Sequence, residues 1–204
     1  MHKKKKIIFF GDSITEQAVL PGGFITNIDS ILKRINLQDN YELTGAGVSS
    51  NKIYDLYLRL EDDVLNKHPD VVIIFIGVND VWHKQLMGTG TDADKFEKFY
   101  SAILKKLADK NIKVIICTPA AIGEKRDLTN PLDAELNKYC NIIRSIALKN
   151  NLPLIDLRKI FLKYDLKHNP EDKDWGILTT DGVHLNNTGN QLVADEMWKV
   201  ISKI

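Results

Sequence analysis

Four residues far apart in this chain have the types that acyl-transfer chemistry uses. Ser13 lies in the stretch GDSIT, Asn79 in GVND, and Asp181 and His184 in DGVHL. A serine hydroxyl is scarcely ionised at neutral pH and attacks a carbonyl only when a base takes its proton. Histidine is the usual base. A carboxylate on its Nδ1 fixes the tautomer, stabilises the imidazolium and leaves Nε2 to face the serine. Asp181 and His184, one turn apart, can form that pair within a single loop. The intermediate that follows attack carries an oxyanion, and a side-chain amide such as Asn79 beside backbone N–H groups can hold it, each donor contributing about 3 kcal/mol to the transition state.

Ser13 also fits a structural role. SITE, residues 13 to 16, matches the capping box, in which the serine accepts the amide proton three residues on while Glu16 reaches back. Taken alone, Ser13 reads first as a helix start; Asn79 and the Asp181–His184 pair turn the reading towards catalysis. Other strand-end motifs do not fit. The segment GDSITEQAVLPGG contains neither GxGxxG nor GxxxxGK[ST], so a dinucleotide or P-loop site lacks its glycines and lysine, and it is not GxSxG.

The elements that must position these groups are legible as an alternation. Five short runs rich in β-branched residues, IIFF at 7–10, YELTG at 41–45, VVIIFIG at 71–77, VIICTP at 114–119 and LPLIDL at 152–157, read as strands. Most are continuously apolar, as in strands covered on both faces. Between them, apolar residues recur at three and four: Phe24 to Ile35, Ile53 to Leu65, Phe96 to Leu107 and Leu136 to Ala147, with Leu192 to Ile204 as a last amphipathic helix. Strand alternating with helix implies a parallel sheet covered by helices, and in such open sheets the ligand site lies beyond the carboxyl ends of the strands. GDSIT and GVND follow strands directly, and DGVHL precedes the last helix. Two long loops, 83–92 and 120–131, are expected to shape the pocket. No linker or repeat divides residues 1–204, so one domain is expected.

GDSIT, GVND and DGVH, in this order and spanning nearly the whole chain, resemble the first, third and last blocks of the GDSL or SGNH hydrolases, which are serine esterases and lipases. The resemblance implies a flavodoxin-like three-layer α/β/α sandwich with a five-stranded parallel sheet. It implies Ser13 as nucleophile and, through its own N–H, an oxyanion donor; Asn79 as a second donor; His184 as base; and Asp181 as its orienting acid. The second block departs from the pattern. The family carries an asparagine and, five positions later, a glycine whose N–H lines the oxyanion hole; the aligned GAGVSS has Gly45 and Ser50. Ser50 can still donate its N–H, at a cost of roughly 1 kcal/mol if the position needs positive φ. Gly47 is the alternative donor.

Other residues near these blocks have plainer readings. Asp12 is expected to satisfy amide groups at the helix start, with a place at the substrate pocket as its functional alternative. One Asp-x-x-His pair falls short of the three protein ligands of a catalytic zinc, so neither metal nor cofactor is expected. His83 reads as a polar wall of the pocket; His68 and His168 read as surface residues. Trp82 and Trp175 are either core or the lining of an acyl or sugar pocket. NNT at 186–188 reads as a helix cap rather than a glycan site.

Lysine plus arginine nearly cancels aspartate plus glutamate, for a formal charge of +1, which argues against a nucleic-acid partner. The apolar part after Lys3 to Lys6 is about four residues long where a secretory h-region needs ~7 to 15. No run of ~18 apolar residues suggests a membrane span. Two cysteines, Cys117 and Cys140, sit in apolar patterns as buried thiols in a reducing compartment would. A cytoplasmic location is expected, with a mature secreted form as the alternative. A sequence displays no surface patch, so it implies no oligomeric state. The expected activity is that of a serine ester hydrolase working through an acyl-enzyme on a small ester: a short-chain acyl or acetyl ester, including that of a sugar, a lysophospholipid or a thioester. An acyltransferase with the same triad and a non-catalytic anion-binding module are the alternatives.

Overall fold

The computed structural model describes residues 3–127 and 129–204. Residue 128, in the second long loop, lies outside the described residues. Five strands, β1 (Lys5–Gly11), β2 (Tyr41–Gly47), β3 (Val71–Phe75), β4 (Lys113–Cys117) and β5 (Leu154–Ile155), form one sheet in the order β2-β1-β3-β4-β5. All the pairings are parallel. The order is that of the flavodoxin-like folds, whose ligands sit at the switch point between β1 and β3. Register brings the carboxyl ends of three strands level there: Gly11 lies opposite Gly47 on one side and Phe75 on the other.

Among the described residues eight α-helices connect and cover the strands: α1 (Ser13–Gln17), α2 (Phe24–Arg34), α3 (Ile53–Asp63), α4 (Val78–Met87), α5 (Ala93–Asp109), α6 (Asp133–Lys149), α7 (Leu157–His168) and α8 (Asn187–Ile201). α2 packs on α8, while α3 packs on α5 and α5 on α6. The sheet is therefore apolar on both faces: every residue of β3 is buried, as are Ile7 to Phe10 of β1. Phe24 of α2 closes the core over the sheet, with its ring 5.9 Å from Phe9 and 6.3 Å from Phe75.

Four elements depart from the expectation. The strand expected over 152–157 shrinks to two residues, because Pro153 has no N–H for the ladder and Asp156 already caps α7, accepting the Lys159 N–H at 3.3 Å. The loop expected over 83–92 is helical in its first half, since α4 runs from GVND to Met87 and stops at Gly88, whose φ is +68°. α7 carries no clear apolar stripe because its buried face holds Arg158 and Asp165 as well as Leu157 and Phe161. The last helix starts earlier than its apolar spacing suggests, where Asn186 Oδ1 accepts the Gly189 N–H at 2.9 Å, so NNT serves as a cap.

Candidate active site

β1 turns into α1 through Gly11 and Asp12. A Cβ on Gly11 would stand 2.4 Å from the Phe75 carbonyl oxygen, and one on Gly47 would stand 2.0 Å from the Glu16 nitrogen, so only glycine lets α1 seat this closely on the strand ends. Asp12, not Ser13, caps the helix: its Oδ1 accepts the Ile14 N–H at 3.0 Å. The capping-box reading of Ser13 is thereby corrected. Ser13 is the first residue of the helix and Glu16 accepts instead from the Ser49 hydroxyl, which leaves the Ser13 hydroxyl for other work.

Its partner comes from the other end of the chain. Ser13 Oγ lies 3.0 Å from His184 Nε2, and His184 Nδ1 lies 2.7 Å from Asp181 Oδ2. The other carboxylate oxygen, Oδ1, accepts the N–H groups of His184 at 2.7 Å and Val183 at 3.0 Å, so the acid fixes both the loop and the ring. Partial burial pushes the Asp181 carboxyl up, but the hydrogen bonds from the His184 ring, its N–H and Val183 outweigh this and hold it below the usual carboxylate range. An ionised Asp181 places the ring proton on Nδ1 and leaves Nε2 as the acceptor for the serine proton.

Asn79 is the second residue of α4 and buried. Its Nδ2 donates to the Asn51 carbonyl at 3.1 Å, and the amide carries a second hydrogen for an oxyanion. Ser50, in the loop between β2 and α3, has φ +65°, the left-handed region in which a glycine is expected and a serine costs about 1 kcal/mol. Lys52 Nζ lies 3.3 Å from the Ser50 carbonyl oxygen and helps hold this conformation. Gly47 ends β2 and is needed for the close packing of α1.

Asp12 lies beneath the site at 1% exposure rather than on a pocket wall. Burial, and then the charge of Asp80, raise its carboxyl to about 7. Asp80 is itself fully buried and raised to about 7 by burial, with both oxygens on the Ile53 N–H at 3.2 and 3.3 Å. Trp82 does reach the site, with its ring edge-on to His184 at 6.3 Å. His83 is tucked behind it, buried, and its imidazole is held below the usual range by burial and then by the charge of Lys52. Trp175 is not core; it is 59% exposed and shares a depression with Asp181, Gly182 and Ile122. His68 and His168 are exposed, as expected. A separate apolar groove, lined by Leu104, Ile112, Leu152 and Ile204, reaches the start of β4 at the opposite end of the sheet. Among the described residues no group of three or more His, Cys, Asp or Glu is placed to hold a metal, and no helix is long and apolar enough to cross a membrane.

Arg59 escaped the sequence reading. From α3 it donates to the Gly11 carbonyl at 2.6 Å, the Ala46 carbonyl at 3.0 Å and Asn51 Oδ1 at 2.6 Å, while its guanidinium lies 4.5 Å from the Phe10 ring centre. It ties the nucleophile turn, the end of β2 and the Ser50 loop into one unit. In the sequence it is marked by acids at helical spacing, among them Asp63 at i, i+4, and that pattern marks a surface pair equally well.

Together these groups form a hydroxyl, an imidazole and a carboxylate in hydrogen-bonded series, flanked by amide donors, which is the arrangement for attack on a carbonyl and capture of the resulting oxyanion. Comparison with known proteins agrees. Residues 9–192 match the sequence model of the GDSL-like lipase/acylhydrolase family. An acetylxylan esterase of Geobacillus stearothermophilus is 26% identical, covering 93% of this chain and 90% of that protein. An isoamyl acetate-hydrolyzing esterase of Schizosaccharomyces pombe is 28% identical, covering 97% and 75%. The crystal structure of an acetyl xylan esterase, AlAXEase, superimposes with a TM-score of 0.95 at 63% identity over 96% of this chain and 99% of that one. The chain belongs to the GDSL-like lipase/acylhydrolase family and is a carboxylic ester hydrolase.

Proposed function

We propose that this protein removes acetyl groups from small esters, in particular acetylated sugars, through a covalent acyl-enzyme on Ser13. The observation that carries the mechanism is the continuous series from Ser13 Oγ to His184 Nε2 at 3.0 Å and from His184 Nδ1 to Asp181 Oδ2 at 2.7 Å. In the first half-reaction Ser13 Oγ bonds to the ester carbonyl carbon as His184 takes its proton. The oxyanion is held by the N–H groups of Ser13 and Ser50 and by Asn79 Nδ2. Collapse of the intermediate breaks the ester C–O bond, and His184 returns the proton to the departing alcohol. Water then repeats the sequence on the acyl-enzyme, releasing acetate and the free serine. No step draws on a cofactor.

The acetyl and sugar assignment is supported by the names of the acetylxylan esterases that this chain is similar to, one of them at 63% identity. Trp82 against the His184 ring and the exposed Trp175 beside Asp181 offer aromatic faces suited to a sugar. All of this belongs to one domain, with every strand of the sheet shared by the same core. A cytoplasmic location is supported by Cys117 and Cys140, both buried and unpaired. The test is acetate release from acetylated xylo-oligosaccharides, set against p-nitrophenyl esters of rising chain length. Efficient deacetylation and a steep fall in kcat/KM beyond the shortest acyl chains are expected. A preference for long acyl chains would overturn the assignment.

A further inference from the structure

Asp181 and His184 lie outside the sheet, in a loop whose regular structure amounts to a single antiparallel bridge between Thr179 and Leu185. The Asp181 side chain is 46% exposed, so packing does not fix it. The loop is instead wrapped around a buried acid from a neighbouring connection at the same edge of the sheet. Glu124, in the connection from β4 to α6, is 1% exposed. Its Oε1 accepts the N–H groups of Leu178 at 2.8 Å and Thr179 at 2.5 Å and the Thr179 hydroxyl at 2.7 Å, while Oε2 accepts the Ile177 N–H at 2.8 Å. Among the described residues Glu124 makes no ion pair; its charge is met by three successive residues ending two before Asp181.

The contact continues past the acid. Thr179 Oγ1, while donating to Glu124, accepts the Gly182 N–H at 3.0 Å, and the Gly182 carbonyl accepts the Gly123 N–H at 2.8 Å. Asp181 is therefore bracketed by two residues that Gly123 and Glu124 hold directly or through one hydroxyl. Glu124 itself is steadied by its N–H on the Asp174 carbonyl at 2.8 Å and by its carbonyl, which accepts from Asn169 Nδ2 at 3.0 Å.

We propose that Glu124 is a positioning residue for ester hydrolysis: a buried carboxylate that pins the Asp181–His184 loop so that the imidazole stays within reach of Ser13. The role rests on the reading of Ser13, His184 and Asp181 as the catalytic series. A carboxylate suits this place because both of its oxygens only accept, and bonds to an ionised acceptor are about twice as strong as neutral ones. A glutamine would turn its NH2 towards backbone N–H groups on one side and free that part of the loop. Misplacement of a catalytic group by about 1 Å can cost a hundredfold in rate.

The test is a double-mutant cycle on p-nitrophenyl acetate, with folding of each variant checked by circular dichroism. Glu124→Gln is expected to lower kcat at least tenfold with KM within about twofold, and to have less than a twofold effect on the residual rate in the His184→Ala background, where there is no longer an imidazole to position. Equal losses in both backgrounds, or a kcat within twofold of the wild type, would overturn the proposal. Should Glu124→Gln fail to fold, Thr179→Val removes only the hydroxyl that joins Glu124 to Gly182. A severalfold loss of kcat, restored by Thr179→Ser, is expected, and an unchanged kcat would overturn the role. A wild type without turnover would overturn the catalytic series and this role with it, whereas an active wild type beside an unaffected Glu124→Gln overturns the role of Glu124 alone.

Discussion

Two carboxyls buried beneath the nucleophile, Asp12 and Asp80, make stability fall as pH rises, and Asp80→Asn isolates one of them. Burial lifts the Asp80 carboxyl from 3.8 to about 7, and Asp80 has no exposed surface through which water could relieve the cost. A native value above the unfolded one means that between about pH 4 and pH 7 the native chain binds a proton that the unfolded chain has released. Native stability is thus greatest below the unfolded value, declines as pH rises towards the native value and levels off above it. A tenfold difference in proton affinity is about 1.4 kcal/mol, so the full decline for Asp80 is bounded by about 4 kcal/mol, a large share of the 5 to 15 kcal/mol of a typical domain. Asparagine keeps an oxygen for the Ile53 N–H and cannot ionise. Urea unfolding of wild type and Asp80→Asn at pH 5, 6, 7 and 8 measures the effect. Asp80→Asn is expected to gain on the wild type by roughly 2 to 3 kcal/mol between pH 5 and pH 8, the part of the decline that remains above pH 5. Subtracting the two proteins removes the titration of groups that Asp80 does not influence, and the fixed cost of the amide cancels between pH values; Asp12, raised in part by the charge of Asp80, titrates lower in the variant and adds to the gain in the same sense. A difference constant within about 0.5 kcal/mol over that range, the size of an ordinary surface substitution, would refute the reasoning.

Other expectations follow from single contacts. Arg59→Lys retains the charge but not the fork that reaches Gly11, Ala46 and Asn51 together, so kcat is expected to fall about tenfold or more with no rescue relative to Arg59→Ala, as steady-state kinetics would show. Ser50→Gly keeps the backbone donor and relieves the left-handed φ, so unfolding free energy in urea is expected to rise by up to about 1 kcal/mol with kcat within about threefold; a tenfold loss would assign the work to the hydroxyl instead. Arg158→Met leaves Asp133 buried without the guanidinium that lies 2.5 Å away, and a loss of about 3 to 5 kcal/mol is expected by chemical denaturation, without a change in KM for the remaining folded enzyme.

The parts of the fold that were legible in the sequence are those whose signal is local. β1 and β3 read as strands because burial on both faces leaves an unbroken apolar run, Ile7 to Phe10 and Val71 to Phe75. Ser13 and Asn79 were findable because a reactive residue just past such a run has a fixed place at the sheet edge, and His184 because an acid three residues away gives it a partner in the same loop. α7 was hidden because Arg158 and Asp165 occupy inward positions and interrupt the apolar spacing, their partners lying on other elements. α4 was hidden by its polar residues, of which His83 is nevertheless buried. Arg59 and Glu124 are ordinary charged residues in sequence; their importance comes from carbonyls and amides that only the folded chain brings to them. A helix start at Ser13 is legible in the sequence but its cap is not, because Asp12 and Ser13 both have an oxygen suited to it.

The claim on which everything else depends is that His184 makes Ser13 nucleophilic. The most direct measurement is intact-mass spectrometry after incubation with a fluorophosphonate, followed by peptide mapping. One covalent adduct per chain is expected, at Ser13, absent in Ser13→Ala and formed at least a hundredfold more slowly in His184→Ala. An unlabelled wild type, an adduct at another residue, or a His184→Ala variant labelled at the wild-type rate would contradict it.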